Sequence, residues 1–424
     1  MKTAMLNKYF NTPHESGLGK TLYQFNGLLV LTFFILTFLV WGGTGYSAGI
    51  MLLLSPLALF VKDRPLQITK EHYLIILAFS LMFVAHASAI YRGNSAAEIT
   101  DLDQPMRFIL IIPIFLYLKK VGFNQTWFWL GIYLAGLICG WQSIAYTAGE
   151  YGTRVSGPFN PIIWGDIGLV FCLVIGVKIH HLIKNKPQTL IPKYIELSTA
   201  AISLIAASIG VILSGSRGAW LTVILLALLF LTIAFVTLPK RISLAFTSVM
   251  IICSVLAYAY IPTVNVRINQ VINELSSFEL TSSNRSSTGL RLQMWYTSII
   301  AFQESPIIGL GKSGLTELEK RLVNEDKINN WVVTESSQQH SDLFDMLAKS
   351  GALGVLILIF FYYSTMKAGS ALIPPYSSTI VMTTLAYIGF GLTNTIFIGM
   401  NGTMFFLVFT VFTIVAGERE VTSK

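Results

Sequence analysis

The sequence predicts an all-α polytopic membrane protein of about 12 transmembrane helices, with one large, partly helical loop between helices 9 and 10. Three observations predict this. First, 54% of the 424 residues are hydrophobic and only 12% are charged, where a soluble domain carries roughly 25% charged residues. Such a chain cannot cover its surface with solvated groups, which excludes a soluble enzyme, a disordered chain and a disulfide-stapled secreted module. Second, apolar runs recur at close to the ~20 residues that a helix needs to cross the hydrocarbon core. Third, the net charge of +8 is spread in short clusters between those runs. That is a topology signal rather than the single basic patch of a nucleic-acid binder, so no nucleic acid is expected as a partner. The 28 Phe, 17 Tyr and 8 Trp suit a bilayer protein with interfacial aromatics, and membrane lipids are the expected surroundings.

Taken in order, the spans fall near 22–40, 45–61, 72–90, 107–118, 126–146, 161–179, 196–213, 219–238, 242–262, 348–366, 377–396 and 399–416. The first follows a polar stretch and runs into Trp41, Gly42 and Gly43 without a small-residue cleavage site, so it reads as a retained span. The fourth is short. With the N-terminus in the cytoplasm, the cytoplasmic segments hold 17 of the 29 basic residues and the short outer loops hold four: Arg92, Arg107, Arg154 and Arg217. This asymmetry fixes the orientation and puts both termini in the cytoplasm. All four outer residues are arginine, whose planar fork of donors suits phosphate oxygens better than a lysine point charge does.

The chain therefore divides into helices 1–9 over 1–262, an outer loop domain over 263–345, and helices 10–12 over 346–424. Within the loop, Ser276 to Gly289 reads as irregular. A helix follows from Ser287 or Thr288, with Leu290, Met294, Ile299 and Phe302 among its apolar positions, and stops at Ser305-Pro306. Gly309, Gly311 and Gly314 mark a turn-rich stretch, and 315–322 reads as a second short helix.

The residues that could carry chemistry lie at the outer face. His340 precedes an apolar helix that runs from Ser341 through Gly351 to Tyr363. At about 1.5 Å per residue that helix is longer than the hydrocarbon core is thick, so its start stands at the outer surface. Ser341 is placed to cap it. The helix start offers free N–H groups to an anion, and a histidine there can take a proton from a hydroxyl. A solvated loop histidine is the plain alternative, and His14, His72, His180 and His181 fit that description; His86, inside the third span, reads as packed and hydrogen-bonded. Arg217 lies in Ser214-Gly215-Ser216-Arg217-Gly218, a short connection between two apolar helices, where a snorkelling arginine competes with a functional one. Arg291 falls in the first turn of the loop helix, where a cation opposes the helix dipole, a small cost that points to another partner; an ordinary exposed arginine is the plain alternative. Arg154 and Asn160 sit in a loop entering the sixth span, and Asp166, inside that span, needs a partner or water.

The three cysteines, Cys139, Cys172 and Cys253, are odd in number and scattered, and read as small apolar packing residues. No His/Cys/Asp grouping has metal-ligand spacing. Asp101 and Asp103 are close together but have no histidine nearby in sequence. No metal or other cofactor is expected, and neither a Walker motif nor a dinucleotide fingerprint is present.

Three motifs together resemble the bacterial O-antigen ligase family and its polymerase relatives. The first is Ser214-Gly215-Ser216-Arg217-Gly218. The second is Thr288-Gly289-Leu290-Arg291 with Trp295, followed by Ser305-Pro306-Ile307-Ile308-Gly309-Leu310-Gly311. The third is His340-Ser341 with Leu343, Gly351 and Gly354. The family often has Asn after its histidine, where this chain has Ser341. The resemblance implies a metal-independent, inverting glycosyltransferase of the bacterial inner membrane with its active site facing the periplasm. Its donor would be an undecaprenyl-pyrophosphate-linked glycan and its acceptor lipid A-core. It implies His340 as general base and Arg217 and Arg291 as diphosphate ligands; Arg154, Asn160 and Ser341 are further candidates for substrate binding. The alternatives are an O-antigen or exopolysaccharide polymerase and a protein O-oligosaccharyltransferase. A flippase or transporter fits less well, because no repeated halves are evident and the polar candidates avoid the bilayer middle.

Overall fold

Sixteen α-helices and two short 3-10 segments make up the regular structure, with no strand among the described residues. The computed structural model describes residues 14, 17–62, 64–92, 98–147, 154–155, 157–185, 190–237, 239–276, 286–335 and 338–422. The helices are α1 (Gly17–Leu39), α2 (Gly43–Leu54), α3 (Lys70–Tyr91), α4 (Asp103–Lys120), α5 (Gln125–Thr147), α6 (Pro161–Lys184), α7 (Leu190–Ser214) and α8 (Arg217–Thr237). They continue with α9 (Lys240–Tyr260), α10 (Pro262–Ser276), α11 (Ser287–Glu304), α12 (Gly311–Asn324), α13 (Trp331–Glu335), α14 (Asp342–Ser370), α15 (Tyr376–Gly391) and α16 (Met400–Thr422). Most of the stretch read as irregular, 277–285, lies outside the described residues, as do Ser156, Ser336, Ser337, Lys2, Lys8, Lys186 and Lys424.

Among the described residues, ten helices are long and apolar enough to cross a membrane: α1, α2 with the 3-10 turn after it, α3, α5, α6, α7, α8, α9, α14 and α16. The chain is thus a polytopic all-α membrane protein. Two of the 12 expected spans fall short of that measure. The helix α4 carries Asp103, Arg107, Lys119 and Lys120, and α15 has only 16 residues. Both are nonetheless packed into the bundle, α4 against α3 and α16, and α15 against α14, α6 and α8.

Lipid gives no hydrophobic drive for helices to associate, so close packing must hold them. Two devices supply it. Small residues let α5 and α7 touch backbone to backbone: a Cβ on Gly140 would lie 2.3 Å from the Ala206 carbonyl oxygen, and Ser203 donates to the Tyr133 carbonyl at 2.7 Å. Elsewhere a buried aromatic cluster locks α1, α6 and α16 together, with Phe34 edge-on to Phe171 at 6.0 Å and to Phe409 at 6.0 Å. Edge-to-face pairs add roughly 0.5–1.5 kcal/mol each beyond the area buried. A second, smaller core joins α11, α12 and α13 to the start of α14 through Met294, Leu315, Leu318, Leu322, Val332 and Ala348.

The helix expected to run unbroken from Ser341 through Gly351 is broken at Gly351, whose φ of 63° and ψ of −157° are open only to glycine. The Pro306–Gly311 stretch fills the break. Ala352 and Leu353 donate to the Pro306 and Ile307 carbonyls at 2.8 and 3.1 Å, and Leu310 donates to the Ala348 carbonyl at 2.9 Å. Arg92 donates to the carbonyls of Ile308 and Gly309 and pins the stretch from the far side. The second and third motifs are therefore two halves of one docking arrangement.

Three further expectations are corrected. His14 and His72 are buried rather than solvated. His14 bonds the Val121 carbonyl oxygen at 2.8 Å, and His72 pairs with Glu418 at 2.6 Å. Of the cysteines, Cys139 is buried and Cys172 half-buried, but Cys253 is exposed on α9 and does not pack between helices.

Candidate functional site

The first motif builds a tight turn between α7 and α8. Gly215 has a φ of 57°. Ser214 Oγ accepts from the Ser216 amide at 3.1 Å. Ser216 Oγ accepts from the Ala219 amide at 3.3 Å, so it caps α8, and it donates to Asp166 Oδ1 at 3.2 Å. Asp166 thus finds a partner, but in the turn rather than in Arg154. Arg154 instead donates from Nε to the Ser214 carbonyl at 3.1 Å.

Arg217, the first residue of α8, leaves the turn towards α10 and α11. It makes a two-point pair with Glu274, at 2.9 Å from Nη1 to Oε2 and 3.0 Å from Nη2 to Oε1. It also donates to Ser287 Oγ at 3.0 Å, to Thr288 Oγ1 at 3.3 Å and to Gln270 Oε1 at 3.3 Å. Glu274 accepts further hydrogen bonds from the Thr288 amide and hydroxyl. Burial pushes the Glu274 carboxyl up, but the bonds from Arg217 and Thr288 outweigh it and hold the group below its ordinary value.

Four arginines meet around this turn. A Cβ on Gly215 would lie 3.3 Å from Arg267 Nε and 3.6 Å from Arg154 Nε. Burial, then the charges of Arg267, Arg217 and Arg291, bring Arg154 down to about 10. Arg291 is lowered by burial and by Arg217, with Glu274 and Asp166 opposing. Arg267 is lowered by burial and Arg217, with Glu274 opposing. Four guanidinium groups around one turn give the site an excess of positive charge that Glu274 only partly offsets. Among the described residues, the Arg291 guanidinium makes no hydrogen bond or ion pair; burial and the neighbouring charges act on it instead. With Ser286 capping α11 through the Gly289 amide at 3.0 Å, Arg291 is the fifth helical residue and lies past the first turn. The dipole argument for it therefore weakens, and the neighbouring charges replace it.

His340 lies in a short connection into α14, with a φ of 47° that is uncommon outside glycine. Its neighbour Gln339 is fully buried and holds the connection at three points. The Gln339 amide donates to Asp345 Oδ1 at 3.1 Å, its side chain donates to Glu319 Oε1 at 3.0 Å, and it accepts from Ser298 Oγ at 3.2 Å. Ser341 occupies the N-cap position but does not cap with its side chain; it donates to the Gly391 carbonyl at 2.9 Å and is buried.

Two links bring His340 to the arginines. Gly391 leads into Thr393, whose hydroxyl would lie 2.7 Å from a Cβ on Gly218, the residue after Arg217. Trp295, one turn after Arg291, stacks on Phe344, one turn after His340, with centroids 5.0 Å apart and planes at 14°. The structure thus gathers Arg217, Arg291 and Arg154 and ties the His340 connection to them. The side chains of Asn160 and Ser341 are engaged by the fold: Asn160 caps α6 by accepting from the Ile162 amide at 2.8 Å, and Ser341 donates to the Gly391 carbonyl.

Sequence reasoning missed Glu274, Arg267 and Gln339. Arg267, Gln270 and Glu274 stand at i, i+3 and i+7 on α10, which puts them on one helix face. That spacing was the available signal. Nothing local marked Gln339. His86, expected to be packed, does bond the Met82 carbonyl oxygen at 2.9 Å, but it also lines a cavity with Asp101 and Asp103, which sequence proximity alone had kept apart. No group of three or more His, Cys, Asp or Glu able to hold a metal ion occurs among the described residues.

Residues 202–359 match the family described as O-antigen ligase, a segment that contains Arg217, Arg291 and His340. The chain is also similar to a Haemophilus influenzae protein (strain ATCC 51907 / DSM 11121 / KW20 / Rd) named only as an uncharacterized protein. The two are 24% identical over 342 residues, 78% of this chain and 81% of that one. Over residues 202–359 this multi-pass membrane protein is thus similar to the O-antigen ligase family.

Proposed function

We propose, from that family match, that the chain is an O-antigen ligase of the bacterial inner membrane. It transfers a glycan from undecaprenyl-pyrophosphate to a sugar hydroxyl of lipid A-core at the periplasmic face, with both termini in the cytoplasm and 263–345 as the periplasmic loop domain. The observation that carries the reading is the meeting of Arg154, Arg217, Arg267 and Arg291 around one turn. A diphosphate is the ligand such a group suits, because guanidinium forks bind its oxygens in pairs. It is also the leaving group, so stabilising its developing charge lowers the barrier to cleavage.

In this reading His340 takes the proton from the acceptor hydroxyl as its oxygen attacks the anomeric carbon. The bond from that carbon to the diphosphate oxygen breaks, and the electron pair leaves on the diphosphate, where Arg217 and Arg291 receive it. Direct attack inverts the anomeric centre. The arginines supply the positive charge, so the reaction runs without a metal ion.

Purified protein in vesicles, given donor and lipid A-core, tests this. Alanine at Arg217, Arg291 or His340 should each lower transfer by about 10²-fold or more, with expression and helix content unchanged. Near-normal transfer by His340→Ala would remove the general-base role. EDTA should leave the rate unchanged; loss of activity that Mg²⁺ restores would refute metal independence. A longer lipid-linked glycan as product would mean a polymerase, and a glycosylated Ser or Thr a protein transferase.

A further inference from the structure

A cavity of about 340 Å³ borders the first turns of α14, the helix that the His340 connection leads into. It is lined by the end of α3, the start of α4, the start of α12 and the first turns of α14, and its walls include His86, Asp101, Asp103, Lys312, Asp345 and Lys349. Its size falls in the range of small-molecule sites, about 300–1,000 Å³. We propose that it binds the acceptor sugar; the proposal rests on the glycosyl-transfer reading above.

Three observations carry it. The first is placement. Asp345, buried in the cavity wall, accepts from the amide of Gln339, the residue before His340. A sugar in the cavity therefore lies one side chain, Asp345, from the segment that carries the general base.

The second is charge. Asp345 pairs with Lys349 at 2.6 Å, and Asp103 pairs with Arg107. What remains is one carboxylate, Asp101, and one ammonium, Lys312, which has no ion pair among the described residues. The walls are close to neutral overall. Three carboxylates make this a poor place for a diphosphate, while the arginine group suits one. The two halves of the site thus divide the substrates by charge.

The third is hydrogen-bonding type. The carboxylates accept, the ammonium groups donate, and Gln104, which spends its amide on the Phe397 carbonyl at 3.1 Å, keeps its oxygen as an acceptor. A hydroxyl-rich ring supplies both donors and acceptors to such walls.

Ile90 in the cavity wall is replaced by cysteine, in a background carrying Cys253→Ser, and the rate of maleimide labelling is measured in vesicles. Core lipopolysaccharide without attached repeats should slow labelling, and undecaprenyl pyrophosphate should not. Slowing by undecaprenyl pyrophosphate alone, or by neither, overturns the proposal. In steady-state transfer, Asp101→Asn and Lys312→Ala should each raise the acceptor KM by roughly five- to tenfold, the size of one lost hydrogen bond, and leave the donor KM unchanged. An unchanged acceptor KM, or a shift in the donor KM instead, also overturns it. Wild-type protein that makes no product from this pair refutes the transfer reading, whereas protection of the cysteine by core lipopolysaccharide supports the sugar site independently of that outcome.

Discussion

Replacing Glu274 by glutamine should tighten donor binding. Glu274 holds both terminal nitrogens of Arg217, at 2.9 and 3.0 Å, in the place where a diphosphate oxygen would otherwise sit. A donor that engages Arg217 must either displace this carboxylate or lie beside it. Displacement costs the pair, and coexistence costs repulsion between two anions, so both routes weaken binding. The side chains are 19% and 20% exposed, which puts the pair between a surface ion pair and a buried one. Exposed pairs contribute about 0.2–1 kcal/mol and charge-assisted hydrogen bonds about 1.5–3 kcal/mol. A value of about 1–1.5 kcal/mol for the release of Arg217 corresponds to a donor KM lowered about five- to tenfold. Glutamine keeps the shape and can still accept from the Thr288 amide, so α10 should stay in place. The assay is steady-state transfer in vesicles with the donor varied at saturating acceptor. A donor KM that rises, or stays fixed while kcat falls, would refute the competition and make Glu274 a positioning residue for Arg217.

Three further outcomes follow from the same geometry. Gln339→Ala removes the two buried side-chain hydrogen bonds to Ser298 and Glu319 and leaves the backbone amide on Asp345; kcat should fall about 10–100-fold, as for a catalytic group displaced by ~1 Å, with the donor KM unchanged in the same assay. Gly351→Ala forces a Cβ to 2.6 Å from the Ile307 carbonyl group in a backbone conformation closed to alanine; it should cost about 3 kcal/mol or more, read as a lower Tm in detergent, and an unchanged Tm would refute the docking of 306–310 into the break. Because the folded Glu274 carboxyl titrates below its ordinary value of 4.5, the stability it contributes is complete above that pH and is lost as pH falls through the lowered folded value. The Tm difference between wild type and Glu274→Gln should therefore hold steady from pH 7 to about 5 and shrink below 4.5, and a pH-independent difference would refute the assignment.

The spans were legible because bilayer thickness acts on windows of sequence, and a window contains all the information it uses. The helix α11 was legible for a similar reason: its apolar spacing and its stop at Ser305-Pro306 are local. The break at Gly351 was not, since a lone glycine in an apolar run is compatible with a continuous helix. Only the 306–310 stretch, some 40 residues earlier in the chain, supplies the carbonyls that replace the lost helical bonds. The arginines were legible one by one from their loops, but their mutual arrangement was not. Arg217 and Glu274 are 57 residues apart in sequence, and a helix read as plain loop carries the carboxylate. His14 and His72 misled for the opposite reason. They flank spans, where solvent is the usual neighbour, but Val121 and Glu418 return from distant helices to cover them.

The site draws on two groups of helices, and the way they are joined bears on how a donor would bind. Arg154, Asp166 and Arg217 belong to the turn between α7 and α8 and its neighbours, fixed by Ser214 and Ser216. Arg291 and the His340 connection belong to α11 and the first turns of α14, fixed to each other by the Trp295–Phe344 stack and the Gln339 bonds. The break at Gly351 separates those first turns of α14 from the rest of the helix, so the second group need not move with the long membrane helix. Arg217 reaches across to Ser287 and Thr288 of α11 and to Glu274 of α10. A diphosphate held between Arg217 and Arg291 would take over that bridging and bring His340 along with Arg291. In that arrangement Glu274 sets the distance between the two groups while the donor is absent. Its charge, rather than its shape, is then the property on which the transition to the loaded site depends.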